Sequence, residues 1–253
     1  MMNVSLCRGS AVGPYLLGKP LGEGASGRVF SAWDRRHGRA VALKVPHAGS
    51  SLRAEARALA AIDDPRVVRL VDFGPWRDRT FLAMELLEGR SLKAWLAEAP
   101  SRTSVLDALA ELGRAVAVVH EAGYVHGDLK PANVQVLRDG QVRLLDFGLA
   151  TKPDRARSSR GTPAYLAPEV FDGAPLSTAS DRFAFAVLVY ESLAGRRPFA
   201  GRNWVMQVLD PQPPCWSAIP EPLRASLALA LRPDPTTRLP TLDPLLEALE
   251  LAR

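Results

Sequence analysis

Cysteine is nearly absent from this chain of 253 residues: the two present, Cys7 and Cys215, lie far apart and show no paired spacing. That excludes a disulfide framework and a thiolate zinc site, and points to a reducing compartment, the cytoplasm. Long apolar runs are missing as well. The longest, Phe183 to Tyr190, stops at Glu191 and falls far short of the roughly 20 residues a membrane-spanning helix needs. Met1 to Cys7 carry no charged start and no apolar core, so no secretory leader is expected. There is no internal repeat and no low-complexity segment. A net charge of +5 would suit a nucleic-acid binder, but no dense Lys/Arg block with interleaved aromatics accompanies it. Neither nucleic acid nor membrane is therefore an expected partner.

Lysine is scarce too, with only Lys19, Lys44, Lys93, Lys130 and Lys152 among the 32 Lys and Arg residues. A chain that otherwise uses arginine keeps a lysine for a reason. Two of the five, Lys44 and Lys130, fall in motifs where a compact ammonium serves better than a planar fork.

What is present is an ordinary globular composition, 47% hydrophobic and 23% charged. The length suits one two-lobed domain or two small ones. Residues 1–13 read as a tail. From Tyr15 to Val45 the pattern predicts three antiparallel strands with a glycine-rich first hairpin. Leu52, Ala56, Leu59 and Ile62 share one face of a helix. Val67–Phe73 and Thr80–Glu85 read as two more strands. After Gly89 the character changes to helices: Leu92–Ala97 with Ser91 as cap, Val105–Ala122, Asp181–Ala194, Leu223–Leu231 and Leu242–Leu251. Val134–Leu137 and Val142–Leu145 form a small hairpin. A strand-rich piece followed by a helix-rich piece predicts an α+β chain with two lobes.

Three stretches carry chemistry. The first is Leu21-Gly22-Glu23-Gly24-Ala25-Ser26-Gly27-Arg28-Val29. Its glycines let a hairpin backbone approach phosphates with no side chain in the way. Taken alone it equally describes a tight hairpin. A strand, not a helix, follows the glycines, which disfavours a dinucleotide fold. The second is Val41-Ala42-Leu43-Lys44, where alternation puts Ala42 and Lys44 on one face. An ammonium there can reach phosphates under the glycine loop. Glu55 lies on the Leu52 and Leu59 side of the next helix and can point toward Lys44. Alone, each reads as an exposed surface charge. The third and most specific is His126-Gly127-Asp128-Leu129-Lys130-Pro131-Ala132-Asn133, followed after the hairpin by Asp146-Phe147-Gly148. Asp128 can orient a hydroxyl and accept its proton, Lys130 can steady a phosphoryl group, and Asn133 and Asp146 offer oxygen ligands for Mg²⁺.

In this order the motifs resemble those of the eukaryotic-like (Hanks-type) Ser/Thr protein kinases, over almost the whole chain from Tyr15 to Arg253. The resemblance implies a bilobal protein-kinase-like fold, with a five-stranded antiparallel sheet plus one helix in the N-lobe and a mainly helical C-lobe. It divides the domain, residues 14–253, into N-lobe 14–84, hinge 85–89 and C-lobe 90–253. It implies ATP with Mg²⁺, or Mn²⁺ in its place, and protein substrates phosphorylated on Ser/Thr. Asp128, Lys130, Lys44 and Glu55 take the catalytic roles, and Asn133 and Asp146 the metal. Residues Leu21 to Gly27, Val29, Ala42, Met84, Glu85, Leu87 and Gln135 line the nucleotide site. Gly161 to Glu169 is similar to the substrate-docking stretch, with Thr162 bonding near Asp128 and Lys130. Asp181 is expected to anchor the catalytic loop, Arg238 to pair with Glu169, and Leu59, His126 and Phe147 to stack as a column.

Several features depart from the family pattern. Gly127 replaces the arginine that usually meets a phosphate on the activation segment, implying an enzyme that does not wait for that phosphate. Ser158, Ser159 and Thr162 remain candidate phosphosites, with Arg155, Arg157 and Arg160 nearby. Gln135 stands where an apolar adenine floor is usual. Pro198 to Trp216 is compact and proline-rich, and a docking helix there is reduced. Ser91 and Ala132 replace acids common in kinases that prefer basic substrates. Two alternatives stay open. His-Gly-Asp also resembles small-molecule kinases of the aminoglycoside phosphotransferase type, although Lys130 and the docking stretch argue against them. A pseudokinase scaffold would be expected to have lost Lys44, Asp128, Asn133 or Asp146, and all four are present. As a stand-alone protein kinase domain the chain would be expected to take its regulation from a partner protein.

Overall fold

A computed structural model describes residues 6–24, 26–152, 162–199 and 215–253. Ala25, the segment containing Arg155 to Gly161, and most of the proline-rich stretch before Trp216 lie outside the described residues. The chain divides into two compact units, Met1–Glu88 and Gly89–Arg253.

The first unit is a six-stranded sheet in the order β1-β2-β3-β4-β6-β5, antiparallel throughout. The strands are β1 Ala11–Val12, β2 Tyr15–Gly24, β3 Gly27–Asp34, β4 Arg39–Pro46, β5 Leu70–Trp76 and β6 Arg79–Glu85. Five strands were expected. The sixth, β1, comes from the segment read as a tail, where only two residues pair with β2, too few for a strand-length pattern. Alternation builds the core on one face: Phe30 and Ala32 from β3, Val41, Leu43 and Val45 from β4, with Tyr15, Leu17, Phe81 and Ala83. Burying a side chain such as Leu43 contributes about 2 kcal/mol. Tyr15 is fully buried and donates to Asp72 Oδ2 at 2.9 Å. Burial and that bond push its phenol up to about 12. Helix α1, Arg53–Ala61, buries Ala56 and Leu59 of the predicted stripe, together with Ala58 and Glu55.

The second unit holds a three-stranded antiparallel sheet of β7 Gly89–Ser91, β8 Val134–Leu137 and β9 Val142–Leu144. The strand β7 was not expected, because three residues ending in a helix cap give no period to read. Ser91 Oγ accepts from Ala94 N, capping α2, Leu92–Leu96, as expected. Helix α3, Arg102–Glu121, packs one apolar face inward. A short α4, Pro168–Phe171, precedes α5, Thr178–Ala194, whose residues from Ser180 to Tyr190 are all buried. A helix apolar on every side must sit in the middle of its unit. Two further helices, α6 Glu221–Ala230 and α7 Asp243–Leu251, pack against each other.

Candidate active site

In the first unit, register settles which side chains share the face opposite the core. Val29 pairs across from Lys44, Ala42 from Met84, and Lys44 from Leu82. Val29, Ala42, Lys44 and Met84 thus line one face of the sheet. Lys44, 4% exposed, donates to both carboxylate oxygens of Glu55, 2% exposed, at 2.8 Å each. A buried ammonium needs such a partner, because desolvation would otherwise make the charge untenable. The exposed-charge alternative for both residues is therefore excluded. Beyond them the hairpin of β2 and β3 projects, with Gly24 paired to Gly27. An added side chain at Gly22 or Gly24 would meet nothing within 4 Å, so the loop surface is bare backbone open to a ligand. Gly27 is different: a Cβ there would lie 2.3 Å from Val45 O, so only glycine lets the hairpin sit on β4. Leu21 is half-exposed, and Glu23 pairs with Arg28 at 3.0 Å. Glu85 accepts from Arg69 N at 2.9 Å through Oε1 and donates through its own N–H to Arg69 O.

In the second unit the loop between α3 and β8 gathers the predicted catalytic residues. Asp128 Oδ1 accepts from the backbone and hydroxyl of Thr162, both at 2.9 Å. Its Oδ2 accepts from Lys130 Nζ at 2.5 Å and Asn133 Nδ2 at 3.0 Å. Lys130 Nζ also donates to Thr162 Oγ1 at 2.8 Å. Four donors hold one carboxylate, which fixes its rotamer and direction. Asn133 donates as well to Asp128 O, leaving its side-chain oxygen to face elsewhere. Leu145 N donates to Asn133 O at 2.8 Å, which brings Asp146 to the neighbouring strand end. Asp146 is left-handed, φ 59°, a strained conformation for a residue with a side chain. Among the described residues no three His, Cys, Asp or Glu side chains cluster as a metal cage. Two oxygen-bearing side chains suit Mg²⁺, which keeps waters and phosphate oxygens and asks the protein for one or two ligands.

Asp181 anchors this loop from inside α5. It accepts from His126 N at 2.7 Å and Gly127 N at 2.9 Å, and His120 Nε2 lies 3.0 Å away. Burial alone would raise its pKa, but the bonds and charges of His120 and His126 and the Gly127 amide outweigh that and hold it below the usual carboxylate range. Arg238 donates to Glu169 Oε1 and Oε2 at 2.6 and 2.7 Å, the expected pair. His126 and Phe147 meet edge-on at 5.0 Å, while Leu59 is buried in the first unit. Gln135 is half-buried on β8, and Leu87 is also half-buried. Three partners were not legible beforehand. His120, Leu176 against Gly127, and Glu191 at 2.5 Å from the Tyr165 hydroxyl are each set by tertiary packing across long separations, with no spacing to announce them.

The protein kinase domain model matches residues 15–248 of the chain. The chain belongs to the protein kinase family. Among curated kinases, the serine/threonine-protein kinase pkn2 of Myxococcus xanthus is 42% identical over 77% of this chain and 26% of its own length. The serine/threonine-protein kinase PknA of Mycobacterium tuberculosis is 34% identical over 95% of this chain and 62% of its own. The serine/threonine-protein kinase PkaA of Streptomyces coelicolor is 34% identical over 88% and 47%. The chain therefore spans about a quarter to three fifths of these relatives. Protein kinases as a family use ATP and a divalent cation. The kinase fold accounts for the two units, a curled antiparallel sheet with one helix and a mainly helical partner. No described helix is long and apolar enough to cross a membrane.

Proposed function

We propose that this protein kinase chain is an ATP-dependent protein serine/threonine kinase acting with Mg²⁺, or Mn²⁺ in its place. The observation that carries the reading is the Asp128–Lys130–Thr162 triangle, because Lys130 bonded to a threonine of the docking stretch is the arrangement suited to an aliphatic hydroxyl acceptor. Bound ATP and its cation supply the phosphoryl group and neutralise charge on its oxygens. Asp128 orients the acceptor Ser/Thr hydroxyl and takes its proton. Lys130 steadies the transferring group, Lys44 held by Glu55 fixes the phosphates, and Asn133 and Asp146 hold the cation. Leu21 to Gly27, Val29, Ala42, Met84, Glu85 and Leu87 are the nucleotide-binding residues of the first unit, and Gln135 is that of the second. A protein substrate docks on residues 161–169, a regulatory protein supplies control, and the setting is the cytoplasm.

Control by activation-segment phosphate is absent from this reading, and Gly127 supports that. It has φ +80°, and a Cβ there would stand 2.6 Å from Leu176 Cδ1. Backbone and neighbour both disfavour the side chain that would bind such a phosphate. Incubating the purified chain with labelled ATP and Mg²⁺, alone, with casein and with an aminoglycoside, beside Asp146→Ala, tests the activity. Label on protein that the variant loses is the expected result. Label on an aminoglycoside alone would mark a small-molecule kinase, and nucleotide binding without label a pseudokinase. Replacing Ser158 or Ser159 should leave activity intact, and collapse at either would refute phosphate independence.

A further inference from the structure

His47 brackets the tip of the glycine loop. It follows β4, whose end lies beside the loop because Gly27 pairs with Pro46. From there its main-chain N–H donates to Ser26 O at 3.3 Å, on the descending side of the hairpin. Its ring Nε2 sits 3.0 Å from Gly24 O, on the ascending side. A carbonyl only accepts, so the ring nitrogen donates. One residue thus ties both sides of the turn to the sheet. The same ring nitrogen lies 3.7 Å from Glu23 Oε1, and Glu23 is clasped by Arg28 opposite it in the register. All these groups belong to the first unit.

The hairpin needs such a tie. Glycines at 22, 24 and 27 give it bare backbone for phosphates but leave the unbound loop many conformations to lose. We infer that His47 is a positioning residue: its ring donates a hydrogen bond to Gly24 O that holds the glycine loop in the conformation that receives the ATP phosphates. The inference rests on the nucleotide role assigned to the loop under Proposed function. His47 touches no substrate atom, so its effect falls on nucleotide affinity and not on the chemical step. A glutamine side chain carries an amide N–H to about the distance of Nε2, so His47→Gln keeps the donor while losing the ring.

Amide hydrogen exchange across residues 22–28 and ATP titration are to be read on the wild-type chain, His47→Ala and His47→Gln. His47→Ala should exchange faster at the loop and raise the KM for ATP about three- to tenfold, the worth of one hydrogen bond. Its kcat should stay within about twofold, and His47→Gln should restore both readings. Unchanged exchange in His47→Ala overturns the tie. Faster exchange with unchanged ATP affinity overturns the positioning role, as does a His47→Gln variant as impaired as His47→Ala. If wild-type chain binds no ATP while His47→Ala loosens the loop, the proposed function fails and the tie itself survives.

Discussion

Asp128 is a carboxylate held at both oxygens: Thr162 at one, Lys130 and Asn133 at the other. Asp128→Asn keeps the shape and removes the proton acceptor. Phosphoryl transfer should fall about 10²- to 10⁴-fold, with ATP affinity unchanged in a binding titration. Gly127 shows the opposite constraint, a residue chosen for having no side chain. Gly127→Ala should cost about 1–2 kcal/mol for the positive φ alone, and more as Leu176 is displaced, read as a lower midpoint in urea unfolding. An unchanged midpoint would mean the backbone there relaxes freely. Lys44 and Glu55 are a third case. Glu55→Ala removes the bidentate acceptor of a buried ammonium, and should lower unfolding free energy by about 3 kcal/mol along with activity.

Helix α5 organises the second unit, and its start is built with care. Ser177 and Ser180 form a reciprocal capping box, and Asp181 in the first turn reaches the catalytic loop backbone. Asp181 carries a pH dependence whose sign follows from its lowered pKa. A carboxyl depressed in the folded state contributes stability that is fully present above its unfolded value of about 3.9 and is lost as pH falls through the folded value. Asp181→Asn should therefore flatten the acid limb of stability against pH, below about pH 4, while lowering stability at neutral pH. Equal acid limbs in the two chains would exclude Asp181 as a source of acid sensitivity. Tyr165 and Glu191 tie the segment that follows Thr162 to the far end of the same helix. Burial and that carboxylate raise the phenol well above its ordinary value, so it remains a donor throughout the working range.

For the whole molecule, ligand binding should show as stability. ATP with Mg²⁺ at about a hundredfold excess over its dissociation constant adds about 2.7 kcal/mol to the folded state, a shift of several degrees in Tm by calorimetry. Chelating the cation, or Asp146→Ala, should remove most of the shift, and a shift that survives both would remove Asp146 from the cation site. Much of this was legible from the chain alone. The order of glycine loop, Lys44, Glu55, Asp128 to Asn133 and Asp146 carries the family and the division into a strand-rich and a helix-rich part, because motif spacing and period are local. Helix α5 was legible for the same reason, being apolar at every turn from Phe183 to Tyr190. The two-residue strand β1 and the three-residue β7 were not, since neither is long enough to display a period. Nor was the burial of Glu55, which lone-residue reasoning leaves on the surface. What the sequence by itself determined is the chemistry on offer, because catalytic side chains must be of set types at set spacings. What only the tertiary structure decided is how each is held: Asp181 against His120 and the Gly127 amide, Leu176 in the space beside Gly127, His47 across the glycine loop. Those contacts join residues tens of positions apart, and only the packed chain brings their atoms within a hydrogen bond's reach.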